Sequence, residues 1–196
     1  MESGGSSVST GGYGNTGTYS VVVTASEALD AAPTLTVAGG SVGSGSASNS
    51  DTVWTYTFTP TDADEAVTID VAAGAITDNA GNDNTATPTQ FAFTHDATTP
   101  TLSTIAMSTN GNSGYAKSGN TITLTITASE AVTGLTCTID GETATMGGSG
   151  TSWTATLTIS GDETAGAATF SCGSYSDAAG NAGSADTTAD SGSVTI

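Results

Sequence analysis

The sequence contains itself twice. Asp78-Asn-Ala-Gly-Asn82 returns as Asp177-Ala-Ala-Gly-Asn181, and each copy stands 24 positions after a tryptophan, Trp54 (78 − 54) and Trp153 (177 − 153). A third marker, Thr-Ala-Ser-Glu-Ala, occupies 24–28 and again 127–131. A chain that repeats with a period of about one hundred residues must fold as two like domains in tandem. Each is long enough to bury a core of its own.

The internal pattern of each repeat is period two. Ile122, Leu124, Ile126 and Ala128 alternate with Thr121, Thr123, Thr125 and Thr127, and Tyr19, Val21, Val23 and Ala25 are the counterpart in repeat one. The same alternation recurs at Leu35/Val37, Trp54/Tyr56/Phe58, Val67/Ile69/Val71, Phe91/Phe93, Leu135/Ile139, Trp153/Leu157/Ile159, Ala168/Phe170 and Val194/Ile196. Threonine-rich alternation of this kind marks half-buried antiparallel strands. With no stretch at helical spacing, the chain is predicted to be all-β, as two tandem immunoglobulin-like antiparallel β-sandwich domains. Trp54 and Trp153 alternate with core residues and are expected to be buried.

Boundaries follow from alignment of the copies. Residues 1–12 are Gly/Ser-rich and predict a flexible lead or a weak first strand; 13–96 make domain 1, 97–100 a short stiff linker and 101–196 domain 2. The linker contains Pro100 and no glycine, which favours an extended connector and an elongated pair. Tyr13 aligns with Tyr115, so repeat one is short of an opening strand like that of Leu102, Ile105 and Met107. Counting apolar residues of the closing strand aligns Ile196 with Phe93, and the chain reads as a window from a longer array.

Lys and Arg total 1 against 19 Asp and Glu, a net charge of −18. With Lys117 as the single basic side chain, phosphate neutralisation is out of reach, which excludes nucleic acid as a partner and disfavours anionic membranes. No apolar run is long enough to span a bilayer, and no basic-then-apolar leader opens the chain. Cys137 alternates with Leu135 and Ile139, and Cys172 with Phe170, so both are expected to face one core and to form a disulfide. A pair of buried free thiols is the alternative. A disulfide closing 35 residues (172 − 137) implies an oxidising, extracellular compartment.

The Thr-Ala-Ser-Glu-Ala signpost, the Trp-Thr-x-Thr strand, the Asp-x-Ala-Gly-Asn stretch and the Asp96-Ala-Thr-Thr-Pro100 connector together resemble the bacterial immunoglobulin-like repeats of giant cell-surface and secreted adhesins. The resemblance runs from about residue 13 to the end. It implies a seven-stranded sandwich, an extracellular location, assembly into arrays and frequent Ca²⁺ binding at domain junctions. Repeat one departs from it in its poor opening strand, repeat two in its cysteine pair.

Asp-x-Ala-Gly-Asn is explained without a ligand as a tight turn, in which Asp and Asn accept local backbone hydrogen bonds and glycine takes positive φ. The alternative adds Ca²⁺, held by carboxylate and carbonyl oxygens of Glu27, Asp78 and Asn82 and of Glu130, Asp177 and Asn181. Asp96 in the connector is expected to complete the cage of Asp78 at the junction, leaving the Asp177 site without its connector ligand. Asp62, Asp64 and Glu65, like Asp162 and Glu163, predict solvated acidic turns. The one histidine, His95, has no nucleophile beside it, and paired carboxylates lack a cleft, so catalysis is not expected.

Three functions are then in play. The first is a non-enzymatic Ca²⁺-stiffened spacer or adhesin stalk, whose partners are neighbouring repeats. The second is a subunit of a filament or surface layer, completed by a strand from an identical subunit; it loses its motive if Ser6–Thr10 pair within their own domain. The third is an accessory module for a glycan or a cell surface.

Overall fold

The computed structural model describes residues 2–3, 6–85 and 90–196, so part of the predicted lead (Met1, Gly4 and Gly5) lies outside the described residues. The chain divides into two compact units, Met1–Thr98 and Thr99–Ile196. Among the described residues every regular element is a strand.

In the first domain the strands are β1 (Glu2–Ser3), β2 (Ser6–Ser7), β3 (Tyr13–Gly14), β4 (Tyr19–Thr24), β5 (Leu35–Ala38), β6 (Gly40–Val42), β7 (Ser46–Ser48), β8 (Val53–Pro60), β9 (Asp64–Val71) and β10 (Phe91–Asp96). One sheet runs β2-β1-β4-β8-β6 with β7 also on β8; the other runs β3-β10-β9-β5. Period two does its expected work here. Tyr56 and Phe58 turn inward while Thr55, Thr57 and Thr59 face solvent. The core gathers Tyr19, Phe58, Val67 and Phe93, with the Tyr19 and Phe93 rings edge-to-face at 4.9 Å. Val8 from the glycine-rich lead is buried in this core, 6% exposed.

The second domain contains β11 (Leu102–Thr109), β12 (Thr121–Val132), β13 (Thr136–Ile139), β14 (Glu142–Thr143), β15 (Thr145–Thr158) and β16 (Phe170–Gly173). Its sheets run β11-β12-β15 and β14-β13-β16. Ile105 pairs with Ile126 and Met107 with Leu124, and all four are buried. Cys137 and Cys172 are directly opposed on β13 and β16 and joined by a disulfide, with Cα atoms 4.1 Å apart. Opposed residues of neighbouring strands point to the same face, which is why both cysteines look into one core.

Three expectations change. Ser6–Ser7 pair with Glu2–Ser3, Glu2 pairs with Ser20, and Gly11 donates to the Ala92 carbonyl at 2.7 Å; the lead is engaged with its own domain. The strand-donation argument built on Ser6–Thr10 therefore lapses. Ile196 is equivalent to His95 rather than Phe93. Tyr13 pairs in parallel with Thr94 as Tyr115 does with Thr195, and this register places Val194 where Phe93 stands. Counting apolar residues slipped by two because the inward position in repeat one is a histidine. His95 is 3% exposed, and its Nδ1 is hydrogen-bonded to the Tyr19 hydroxyl at 2.7 Å. Finally, Trp54 and Trp153 are half-buried at the core margins rather than enclosed. Each indole N–H donates to a carbonyl three residues earlier, Asp51 and Gly150 respectively.

The acidic turns are more than solvated. Glu65 accepts from the amides of Thr61 and Asp62, and Glu163 from Ser160 and Gly161. These amides, Ser160 first, hold the Glu163 carboxyl down at about 2. A carboxyl depressed in the folded state stabilises the fold fully above its unfolded value near 4.5, and that stability is lost as pH falls towards 2. Acid titration of domain 2 followed by circular dichroism should show this loss between about pH 4.5 and 2. Glu163→Gln should flatten the profile over that window.

Candidate cation site

Both Asp-x-Ala-Gly-Asn stretches form the same self-closed loop. Asp78 Oδ1 accepts from the amides of Ala80 and Asn82, both at 2.8 Å, and Asp78 Oδ2 accepts from Asn82 Nδ2 at 2.8 Å. Asp177 Oδ1 accepts from the amides of Gly180 at 2.7 Å and Asn181 at 2.9 Å, and its Oδ2 from Asn181 Nδ2 at 2.8 Å. The main chain closes each ring, from the Asp78 amide to the Asn82 carbonyl at 3.0 Å and from Asp177 to Asn181 at 3.2 Å. Gly81 and Gly180 carry the positive φ this closure needs, 87° and 91°. The aspartate is thus the hub of the turn and the asparagine its brace.

Their surroundings differ. Asp177 is 5% exposed, whereas Asp78 is only half-buried. The Asn82 side chain, then its amide, holds the Asp78 carboxyl below the usual range. Repeat one adds two braces that sequence reasoning passed over. Asp83 accepts from the Thr77 hydroxyl at 2.8 Å, and Asn84 Oδ1 accepts from the Ile76 amide at 3.0 Å. Their signal was available as the polar run Asn82-Asp-Asn84, which repeat two replaces with Ala182 and Gly183.

In domain 1, Glu27, Asp78 and Asn82 line one cavity of about 240 Å³, with Ala25, Ser26 and Asp83. In domain 2, Glu130 and Asp177 bring carboxylate oxygens within 4.8 Å of each other. Two carboxylates this close repel unless a proton or cation lies with them, and Lys117, the only basic side chain besides the one histidine, is exposed. Asp177 Oδ2 accepts from Asn181 Nδ2, and carboxylate oxygens are the ligand type a hard cation takes. The donor set therefore fits Ca²⁺ chemistry.

Asp78 and Asp96 are not brought together. Asp78 bridges Leu29 beyond the Val71 end of β9, whereas Asp96 pairs with Asp64 at the other end of that strand. The five residue steps from Phe91 to Asp96 place about 17 Å of strand between the two ends. The expected cage of Asp78 with Asp96 does not form, because β10 runs away from the loop that precedes it. Asp96 Oδ1 accepts from the Thr98 amide at 3.2 Å, and the connector then enters domain 2 at Thr101, whose amide donates to the Ser129 hydroxyl at 3.0 Å.

A family model described as the bacterial Ig-like domain matches residues 7–94 and again residues 96–196. No curated protein matches the chain. Among solved structures, the crystal structure of Rst D1-D2 resembles it at 11% identity and a TM-score of 0.47, with 95% of this chain and 96% of that one covered. The Bacteroides ovatus mixed-linkage glucan utilization locus protein SGBP-B, in complex with a mixed-linkage heptasaccharide, resembles it at 15% identity and a TM-score of 0.25, with 94% of this chain and 42% of that one covered.

Proposed function

The chain belongs to the bacterial Ig-like domain family as two tandem copies, and on that premise we propose that it is a non-enzymatic extracellular spacer stiffened by Ca²⁺. The observation that carries this reading is the pairing of Glu130 with the almost fully buried Asp177 in a chain that has next to no basic side chains. Asn181 acts as the orienting brace of Asp177. Glu27, Asp78 and Asn82 form the corresponding site at the entry side of domain 1, with Asp83 beside them.

The disulfide supports an oxidising compartment, hence a secreted or surface location. His95 is enclosed and bonded to Tyr19, which suits a structural part and not a catalytic one. Calorimetric titration with Ca²⁺ tests the proposal. The expected result is saturable binding by the intact chain, weakened at least tenfold by Glu130→Gln. Undiminished binding by the Glu130→Gln chain would overturn the assignment of the site.

A further inference from the structure

One sheet face of domain 2 carries hydroxyls in a regular grid. Strands β12 and β15 pair with Thr121 opposite Thr158, Thr123 opposite Thr156, Thr125 opposite Thr154 and Thr127 opposite Ser152. Ile122, Leu124 and Ile126 between them are fully buried, so parity turns these eight side chains to the outer face, and none of the eight is buried. The Ile159 amide donates to the Asn120 carbonyl at 2.8 Å, which makes that pair a hydrogen-bonded one. By alternation the four hydroxyl pairs are of the close, non-hydrogen-bonded kind, with Cα atoms about 4.5 Å apart. The Thr121 and Thr158 hydroxyls accordingly lie 3.3 Å from each other. Along each strand the face repeats every second residue, at about 6.8 Å.

Strand propensity places threonine outward, but it does not place it in two opposed files. In domain 1 the corresponding pairs are Ser20 with Thr57, Val22 with Thr55 and Thr24 with Val53, so a valine interrupts each file. The grid of domain 2 is also free of charge. The chain carries 19 Asp and Glu, yet none stands at these eight positions or at the neighbouring Thr104, Ala106 and Ser108 of β11. A carboxylate keeps its own hydration shell. A threonine instead offers a hydroxyl that can join a water network and a methyl that orders the water beside it.

Oxygen atoms on the prism faces of ice repeat at comparable intervals along two perpendicular directions. We propose that the β12–β15 face of domain 2 binds ice, with the four hydroxyl pairs anchoring the water of the ice surface. None of the eight side chains is aromatic, so the grid lacks the ring on which a sugar would stack. This inference does not depend on Ca²⁺.

The test is partition of the 196-residue chain into slowly grown ice, read by tryptophan fluorescence of the melted fractions, beside a variant carrying Thr125→Tyr and Thr154→Tyr. Tyrosine is favoured on strands, so the variant should keep the circular dichroism spectrum of the parent. The expected result is enrichment of the parent in the ice at least tenfold over the double variant, with Val22→Tyr in domain 1 partitioning as the parent does. Thr123→Lys, a single outward charge, should also lower the partition, and it preserves the comparison if the double variant unfolds. Exclusion of the parent from ice, equal partition of the parent and the two grid variants, or loss of partition in Val22→Tyr would each overturn the inference. Adsorption of the parent to microcrystalline cellulose without partition into ice would assign the face to a neutral glycan and overturn it likewise.

Discussion

Replacing Cys137 and Cys172 together by alanine should destabilise domain 2 by about 3–4 kcal/mol while leaving domain 1 unchanged. The bridge closes a 35-residue loop, and removing it returns that loop's freedom to the unfolded chain. The loss is large against the roughly 5–15 kcal/mol that holds a domain folded. For a domain of this size it corresponds to a fall in melting temperature of roughly 12–30 °C. Both sulfurs lie in the core, Cys137 3% and Cys172 0% exposed, so alanine also leaves small voids. Reduction with dithiothreitol separates the two contributions, because it opens the bridge and keeps the atoms. Unfolding in guanidinium, followed by Trp153 fluorescence in a Trp54→Phe background, reads domain 2 alone. An unshifted midpoint would show that the bridge constrains nothing.

Asp177→Ala should cost domain 2 roughly 2–4 kcal/mol, and Asp78→Ala should cost domain 1 less. Both substitutions remove the acceptor of two loop amides and of an asparagine side chain. The difference lies in what replaces it. Around Asp78 water reaches the orphaned N–H groups; around Asp177, at 5% exposure, it does so poorly, and the desolvation cost stays. Asp177→Asn keeps one acceptor oxygen and should recover part of the loss. Thermal unfolding of the three variants checks the order, and equal losses at the two sites would refute the role given to burial.

The period-two rows made the strands legible, because a residue's face in a sheet depends only on its parity along the strand. That is why the inward cysteines were visible before their bond. Parity does not give register. His95 broke the count of apolar residues, so Ile196 was matched to Phe93, whereas hydrogen bonding to Tyr19 lets a polar ring hold an inward position. The Asp-x-Ala-Gly-Asn loop was legible as a turn, since each donor and acceptor lies within five residues. Which carboxylates meet beyond the loop was not. That depends on the direction in which β10 leaves, and its direction carries Asp96 away from Asp78.

The role proposed for Ca²⁺ is to complete and stiffen the acidic site of the second repeat. Scanning calorimetry in Ca²⁺ and in chelator tests it most directly. At about one hundred times the dissociation constant, binding confined to the folded state should add roughly 2.7 kcal/mol. The transition of domain 2 should therefore rise in Ca²⁺, and the rise should vanish in Glu130→Gln. Superimposable scans in Ca²⁺ and chelator would contradict the account.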